Sequence, residues 1–185
     1  MIAKMKKGLI ITLFALLGMS AMAQEKINWM SIEEAAERCA KEPKMVFIDV
    51  YTDWCGWCKR MDRSTFSNPV IAKYMNEHFY AVKFDAETLD TITFQGQQYV
   101  GFVREDGKKG SHRLARTLLN GRMSYPSYVI MNEEMRTLQV IGGYQTEQQF
   151  EPMIHFFGDG AYKVMSGEDF LKDFKSELGE PDQKQ

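Results

Sequence analysis

Apolar positions recur along this chain in two rhythms, one with a period near two and one near three and a half. Met45 to Tyr51 is a run rich in β-branched and aromatic residues, interrupted only by Asp49, and reads as a buried strand. Tyr80 to Asp85 alternates like a second strand. Leu89 to Arg104 places Ile92, Phe94, Tyr99 and Val100 around Gln95-Gly96-Gln97-Gln98, which predicts a β-hairpin. Tyr128–Met131 and Leu138–Ile141 predict another hairpin around Asn132–Met135. Helical spacing appears between these strands. Ser31 and Glu34 form a capping box for a helix to Lys41, with Ile32, Ala35, Ala36 and Cys39 on one stripe. A helix starts near Cys55 and runs to about Ser64. Asn68 caps another, with Pro69 at its first position and Val70, Ile71, Tyr74, Met75 and Phe79 as its apolar face. His112–Leu119 reads as a short helix ended by Asn120-Gly121, after a polar loop from Glu105 to Gly110. Thr146 caps a helix carrying Phe150, Met153, Ile154 and Phe157. A last helix is predicted from Ser166 to about Leu178, with Phe170, Leu171 and Phe174 inward, before a polar tail. The order β-α-β followed by β-β-α predicts an α/β sandwich with a mixed sheet.

The first 23 residues stand outside this pattern. Lys4, Lys6 and Lys7 precede the apolar run Leu9–Leu17, and Ala21-Met22-Ala23 supplies a small-x-small cleavage site, so residues 1–23 read as a signal peptide. The apolar stretch is shorter than the roughly 20 residues of a comfortable membrane span. Retention as an anchor is the alternative. No cysteine near the cleavage site offers a point for lipid attachment. Cleavage leaves residues 24–185, a length suited to one domain with an adequate core. The formal charge of −2 becomes −5 when the three lysines are removed. The remaining lysines are scattered among acids, so nothing resembles a field for nucleic acid. An exported, soluble single-domain protein with no stable membrane insertion after cleavage is the expectation.

Three cysteines are too few for a disulfide-stapled scaffold. Cys55 and Cys58 lie three apart where the Met45–Tyr51 strand gives way to a helix. A sulfur on the first turn of a helix faces free backbone N–H groups and the positive end of the helix dipole, which favour its thiolate. The thiolate attacks disulfides, so the local chemistry points to thiol–disulfide exchange. A structural disulfide would close a very short loop and constrain little of the unfolded chain. Zinc wants four ligands, and His78, His112 and His155 are isolated, so neither metal nor cofactor is expected. Cys39 reads as a small buried core residue, with a third redox thiol as the alternative.

The stretch from Val46 to Lys59 resembles thioredoxin, and more closely the exported thioredoxin-like proteins carrying Trp-Cys-Gly-Trp-Cys-Lys. Trp54, Cys55, Gly56, Cys58 and Lys59 stand at that family's positions, and Asp49 falls where it keeps a buried carboxylate. Lys83 matches the lysine usually near that carboxylate. Tyr125-Pro126-Ser127 sits at the family's cis-proline, and Gly142-Gly143-Tyr144 at the glycine turn after the last strand. The resemblance covers roughly Ile27 to Phe157. It implies a thioredoxin-like fold: a central mixed sheet flanked by helices, here with an inserted β-hairpin and a C-terminal helical extension. Two departures stand out. Trp57 replaces the proline of ordinary thioredoxins, and the segment from Thr88 to Gly110 is longer than a minimal member needs.

The resemblance implies Cys55 as nucleophile, the more exposed sulfur, and Cys58 as the resolving thiol. Desolvation should raise the Asp49 pKa and fit it to take the Cys58 proton, unless the carboxylate turns to the strand edge and is solvated. Lys83 either pairs with Asp49 or faces water. A cis Pro126 leaves the Tyr125 main chain free to pair with an extended substrate; an ordinary trans turn is the alternative. Trp54 and Trp57 flank the sulfurs as an apolar contact surface, with Trp54 in part core, and Gly56 and Lys59 complete the motif. No histidine or positive charge stands between the cysteines, and Asp53 opposes a thiolate. Both features favour a moderately reducing couple, nearer roughly −270 mV than roughly −120 mV. An exported reductase acts on disulfide-bonded client proteins and needs a membrane-embedded thiol electron donor. The alternative function is a chaperone-like, client-binding module on the same fold.

Overall fold

A computed structural model describes residues 25–178. The signal-peptide reading of residues 1–23 and the polar tail from 179 onward lie outside the described residues. Five strands form one sheet: β1 (Trp29–Met30), β2 (Met45–Tyr51), β3 (Phe79–Asp85), β6 (Ser127–Met131) and β7 (Thr137–Gly142). Their spatial order is β1-β3-β2-β6-β7, so β2 is central. It pairs in parallel with β3 and antiparallel with β6, and β7 returns antiparallel to β6. This is the mixed α/β sheet implied by the sequence. The two-residue β1, too short to carry a periodic signal, was not legible in the pattern.

Alternation along β2 builds both halves of the core, because successive side chains of a strand point to opposite faces. Val46, Ile48 and Val50 enter one cluster with Ile32, Ala35 and Cys39 of α1 (Ile32–Lys41) and Leu114, Ala115 and Leu118 of α4 (Arg113–Leu118). Met45 and Phe47 enter the other. There they meet Met61 of α2 (Gly56–Arg63), Ile71 and Met75 of α3 (Pro69–His78), and Phe150 and Ile154 of α5 (Glu147–Gly158). Phe47 is fully buried at the centre of this half. Its ring lies 5.5 Å from Phe150, 5.6 Å from Tyr128 and 6.1 Å from Phe66. Asp49 is the next residue on that face.

The inserted hairpin comprises β4 (Thr91–Phe94) and β5 (Gln97–Val100), a separate two-stranded ladder. Its turn residues Gln95 and Gly96 both have positive φ, 50° and 76°, the backbone that a tight hairpin with right-handed strand twist requires. Ile92 and Phe94 bury themselves beneath it on the α1 side. Helix caps follow the sequence signals: Ser31, Asn68 and Thr146 each accept a backbone N–H at their helix starts. His112 caps α4 instead, its Nδ1 accepting the Leu114 N–H at 3.1 Å, so this buried histidine is structural.

The last helix differs from expectation. The helix α6 spans Gly167–Asp173 and stops at Phe174, which is extended, rather than continuing to Leu178. Phe170 and Phe174 do turn inward, to within 5.4 Å of Phe156 and 5.3 Å of His155. Leu171, a third of a turn from Phe170, is exposed, not inward. The chain leaves the helix because Ser176 and Glu177 have another partner. The Glu177 backbone N–H donates to Glu151 Oε1 at 2.6 Å and the Ser176 hydroxyl donates to Oε2.

Cys39 is buried in the α1 half of the core, its thiol directed at the Lys44 carbonyl oxygen at 3.4 Å. Burial pushes its pKa up, which disfavours the thiolate. Cys39→Ala should cost about 1 kcal/mol, whereas Phe47→Ala should cost about 3–5 kcal/mol because five neighbouring rings lose their contact. Urea unfolding of both variants checks this; equal costs would mean that the aromatic cluster does not dominate the core.

Candidate active site

The site grows from the end of β2. After Tyr51 the chain turns tightly, the Cys55 N–H donating to the Thr52 carbonyl at 3.1 Å, and α2 begins at Gly56 with Cys55 as its N-cap. The Cys55 Sγ accepts the Cys58 backbone N–H at 3.0 Å. A sulfur here meets an orphan N–H of the first helical turn and the positive end of the helix dipole, both of which stabilise negative charge. Cys55 and Cys58 form a disulfide, with S–S 2.03 Å and Cα–Cα 5.3 Å. Exposure does not separate the two sulfurs as the sequence reading supposed. Cys55 is 4% and Cys58 2% exposed, since both are packed at the helix start. The capping hydrogen bond is what distinguishes Cys55.

Beneath α2 lies Asp49, 1% exposed, on the sheet face that Met61 and Phe47 also occupy. A carboxylate there needs a partner, because desolvation strongly disfavours the charged form. Register supplies one: Asp49 stands opposite Lys83 of β3. Lys83 Nζ donates to Asp49 Oδ2 at 2.6 Å and also to Asp62 Oδ1 on α2. The lysine therefore pairs with Asp49 rather than facing water, and it bridges the sheet to the helix. Its ammonium also lies 4.9 Å from the Trp29 ring, 5.1 Å from Tyr51 and 5.2 Å from Phe66. Burial pulls the Lys83 pKa down, but the two carboxylates outweigh that and hold it above its ordinary value. Asp49 is pushed up to about 6, chiefly by burial, with Lys83 pulling the other way and Asp62 adding to the rise. Its second oxygen, Oδ1, is buried and has no hydrogen-bond partner among the described residues. That oxygen is available to a proton.

Asp62 escaped the sequence reading. The signal for it was its spacing, one helical turn beyond Cys58 on the same helix, and so on the side of α2 that faces the sheet. A cleft of about 450 Å³ lined by Lys26, Trp29, Asp62, Phe66 and Lys83 opens beside this pair.

Two aromatic pairs flank the disulfide. Trp54 is 65% exposed, with its ring 5.8 Å and edge-on from Tyr125, and its indole N–H donates to Glu87 Oε2 at 3.0 Å. Trp54 is thus surface, not core. Trp57 is 55% exposed and 5.4 Å from Tyr144, with the Arg60 guanidinium 5.5 Å and 5.3 Å from the two rings. The Tyr125–Pro126 peptide bond is cis. The Pro126 carbonyl accepts the Gly143 N–H at 2.8 Å, and Gly143 has φ +97°, a conformation that favours glycine. Gly56 and Lys59 are exposed on the first turn of α2. Glu87 and Arg60 carried no motif signal, and Tyr144 was legible only as part of the glycine turn; the fold sets Glu87 and Tyr144 against the two tryptophans. Among the described residues no group of three or more His, Cys, Asp or Glu could hold a metal ion.

This constellation sits in a chain whose residues 18–157 match the family model "Thioredox_DsbH: Protein of unknown function, DUF255". The chain belongs to the Thioredox_DsbH family. Its relatives include Spermatogenesis-associated protein 20 of Homo sapiens, 31% identical over 89 residues, which are 48% of this chain and 11% of that protein. Another is the Thiol:disulfide interchange protein DsbD of Pectobacterium atrosepticum, 35% identical over 46 residues, 25% of this chain and 8% of that one. The matches span only about a tenth of these relatives' lengths. Among solved structures, a thioredoxin-fold protein from Helicobacter pylori aligns with TM-score 0.53 and 20% identity, covering 70% of this chain and 79% of its own. A structure entitled "DsbH Oxidoreductase" aligns with TM-score 0.51 and 18% identity, covering 81% and 94%. At such identities these structures establish the fold, which is thioredoxin-like. The chain is thus a family member of thioredoxin-like fold whose cysteine pair stands at disulfide distance.

The Asp49 pKa carries a stability signature. An acid whose pKa is raised on folding binds more protons in the native state than in the unfolded one, where Asp titrates near 3.9. Its protonated form therefore stabilises the fold fully below about pH 4, and that contribution is lost as pH rises through about 6. Asp49→Asn should be more stable than the parent at pH 8, by on the order of 2 kcal/mol, and the gap should close toward pH 4. Denaturation at several pH values checks this; a constant gap would mean that Asp49 does not titrate in this range. In Asp62→Asn, Lys83 has a single carboxylate to serve, so the Asp49 titration followed by NMR should move below 6.

Proposed function

We propose that the protein is an exported thiol–disulfide oxidoreductase that reduces disulfides in client proteins through Cys55 and Cys58. The observation that carries this reading is the Cys55 sulfur at the N-cap of α2, holding the Cys58 N–H and disulfide-bonded to Cys58. In the reduced protein the Cys55 thiolate attacks one sulfur of a client disulfide. A Cys55–client bond forms, and the other client sulfur leaves with the electron pair. Cys58 gives its proton to Asp49 and attacks Cys55 Sγ, forming the Cys55–Cys58 disulfide and releasing the second client thiolate. Two electrons pass to the client, and the protein ends oxidised.

Asp49 serves as proton acceptor because it is buried on the face that α2 covers and titrates near neutral pH. Lys83 moderates that titration. Pro126 and Tyr125 offer main chain to an extended client, and Trp54 and Trp57 give it apolar area. The absence of a cation or histidine between the cysteines supports a reducing couple. A membrane-embedded thiol donor re-reduces the pair; similarity to part of a protein named for thiol:disulfide interchange supports that relationship. Residues 1–23 act as the export signal, supported by their basic, apolar and small-residue pattern. Among the described residues no helix is long and apolar enough to cross a membrane.

The large exposure of Trp54 and Trp57 also favours a second reading, a chaperone-like module that holds unfolded chains. Insulin reduction separates the two. Cys55→Ser should abolish turnover, while Cys58→Ser should accumulate a mixed disulfide on Cys55, because attack persists without resolution. Turnover that survives Cys55→Ser would overturn the assignment. Asp49→Asn should slow exchange about tenfold or more, in the resolving step.

A further inference from the structure

The two flanks of the disulfide carry charge of opposite sign. On the Trp54 side, Asp53 is exposed and Glu87 is held against the indole N–H. Asp85 accepts the Glu87 backbone N–H, and together these last two carboxylates act on the Tyr125 hydroxyl. Arg116 also acts there, with the opposite sign. On the Trp57 side stand Lys59 and Arg60, both exposed, with Arg60 lying over Trp57 and Tyr144. Among the described residues, neither these two cations nor Asp53, Asp85 and Glu87 take part in a salt bridge. Asp62, the nearest acid on α2, is bound to Lys83 and does not neutralise Lys59 or Arg60.

Charges that border exposed apolar area and lack an ion-pair counter-charge among the described residues are disposed to act on an incoming charged partner. Complementary charge contributes to choice of partner and to association rate more than to raw affinity. Resting on the exchange reading above, we propose that the site selects extended disulfide-bearing segments that are cationic on the Trp54 flank and anionic on the Trp57 flank. The selected partner is a polar-ended peptide with its half-cystine in the middle. A segment with the charges reversed meets like charge at both ends and docks slowly. Since Asp53, Lys59 and Arg60 are exposed and Asp85 and Glu87 half-buried, selection is strong at low ionic strength and fades as the screening length falls to a few ångströms near 1 M salt.

Two peptides of identical composition test this. Each carries a central cysteine as a mixed disulfide with a coloured thiolate leaving group; one has lysines before it and glutamates after it, and the other has the reverse order. Reduced full-length Cys58→Ser attacks the peptide sulfur, one S–S bond forms as one breaks, and the coloured thiolate leaves with the electron pair. One order should react about five- to tenfold faster at low salt, and the two should converge at high salt. Adding the charge swap Asp53→Lys with Arg60→Glu should reverse the preference. Arg60→Gln alone should reduce it. Equal rates for both orders at low salt, or a preference unchanged by the swap, would overturn the selection while leaving exchange intact. Reaction with neither peptide would remove the exchange reading and this inference with it.

Discussion

A carboxylate taken out of water on the central strand of a sheet must be neutralised or matched, and much of this molecule is arranged around that constraint. Asp49 sits where β2 is paired on both sides and covered by α2. Matching comes from Lys83 on the neighbouring strand, in register, and Lys83 is in turn held by Asp62 from the helix above. One ammonium therefore ties the strand that leads into the cysteines to the helix that begins with them. Two carboxylates competing for one cation leave each less than fully compensated. Burial chiefly drives the acid up to about 6, Lys83 opposes it, and Asp62 adds to the rise. Three aromatic rings around the same ammonium supply further favourable contact while keeping bulk water away.

Much of the fold was legible in the chain because local signals agreed with tertiary ones. Ser31, Asn68 and Thr146 cap the helices that the apolar spacing called for, and the Gln95-Gly96 turn has the backbone its hairpin needs. The exceptions have physical causes. Trp29 and Met30 form a strand only because β3 offers them an edge, which no two-residue pattern can announce. The last helix carries helical periodicity beyond its true end. A tertiary contact, the buried Glu151 side chain, captures Ser176 and Glu177 and overrides the local preference.

At the site, the residues on one continuous stretch of sequence were readable, and those brought in from elsewhere less so. Cys55, Cys58 and Asp49 announce themselves by spacing and by a charge inside an apolar run. Lys83 was open between two environments until strand register placed it opposite Asp49. Asp62 is spaced one turn beyond Cys58, but its partner could be read only once β3 placed Lys83 beneath it. Arg60 meets Trp57 by its i,i+3 spacing on α2, whereas Tyr144 reaches both through the packing of the glycine turn against that helix.

The Glu151 contact also bears on where this domain ends. The family match stops at residue 157, and a boundary drawn there, or after α6, would look natural. Glu151 is 1% exposed within α5, and both of its oxygens are satisfied by residues 176 and 177. Cutting the chain before those residues would strand a buried carboxylate without donors, a loss of about 1–3 kcal/mol or more for a charged group. The segment beyond the family match thus supplies the hydrogen bonds of a buried acid in α5, and a fragment cut before residue 176 gives them up.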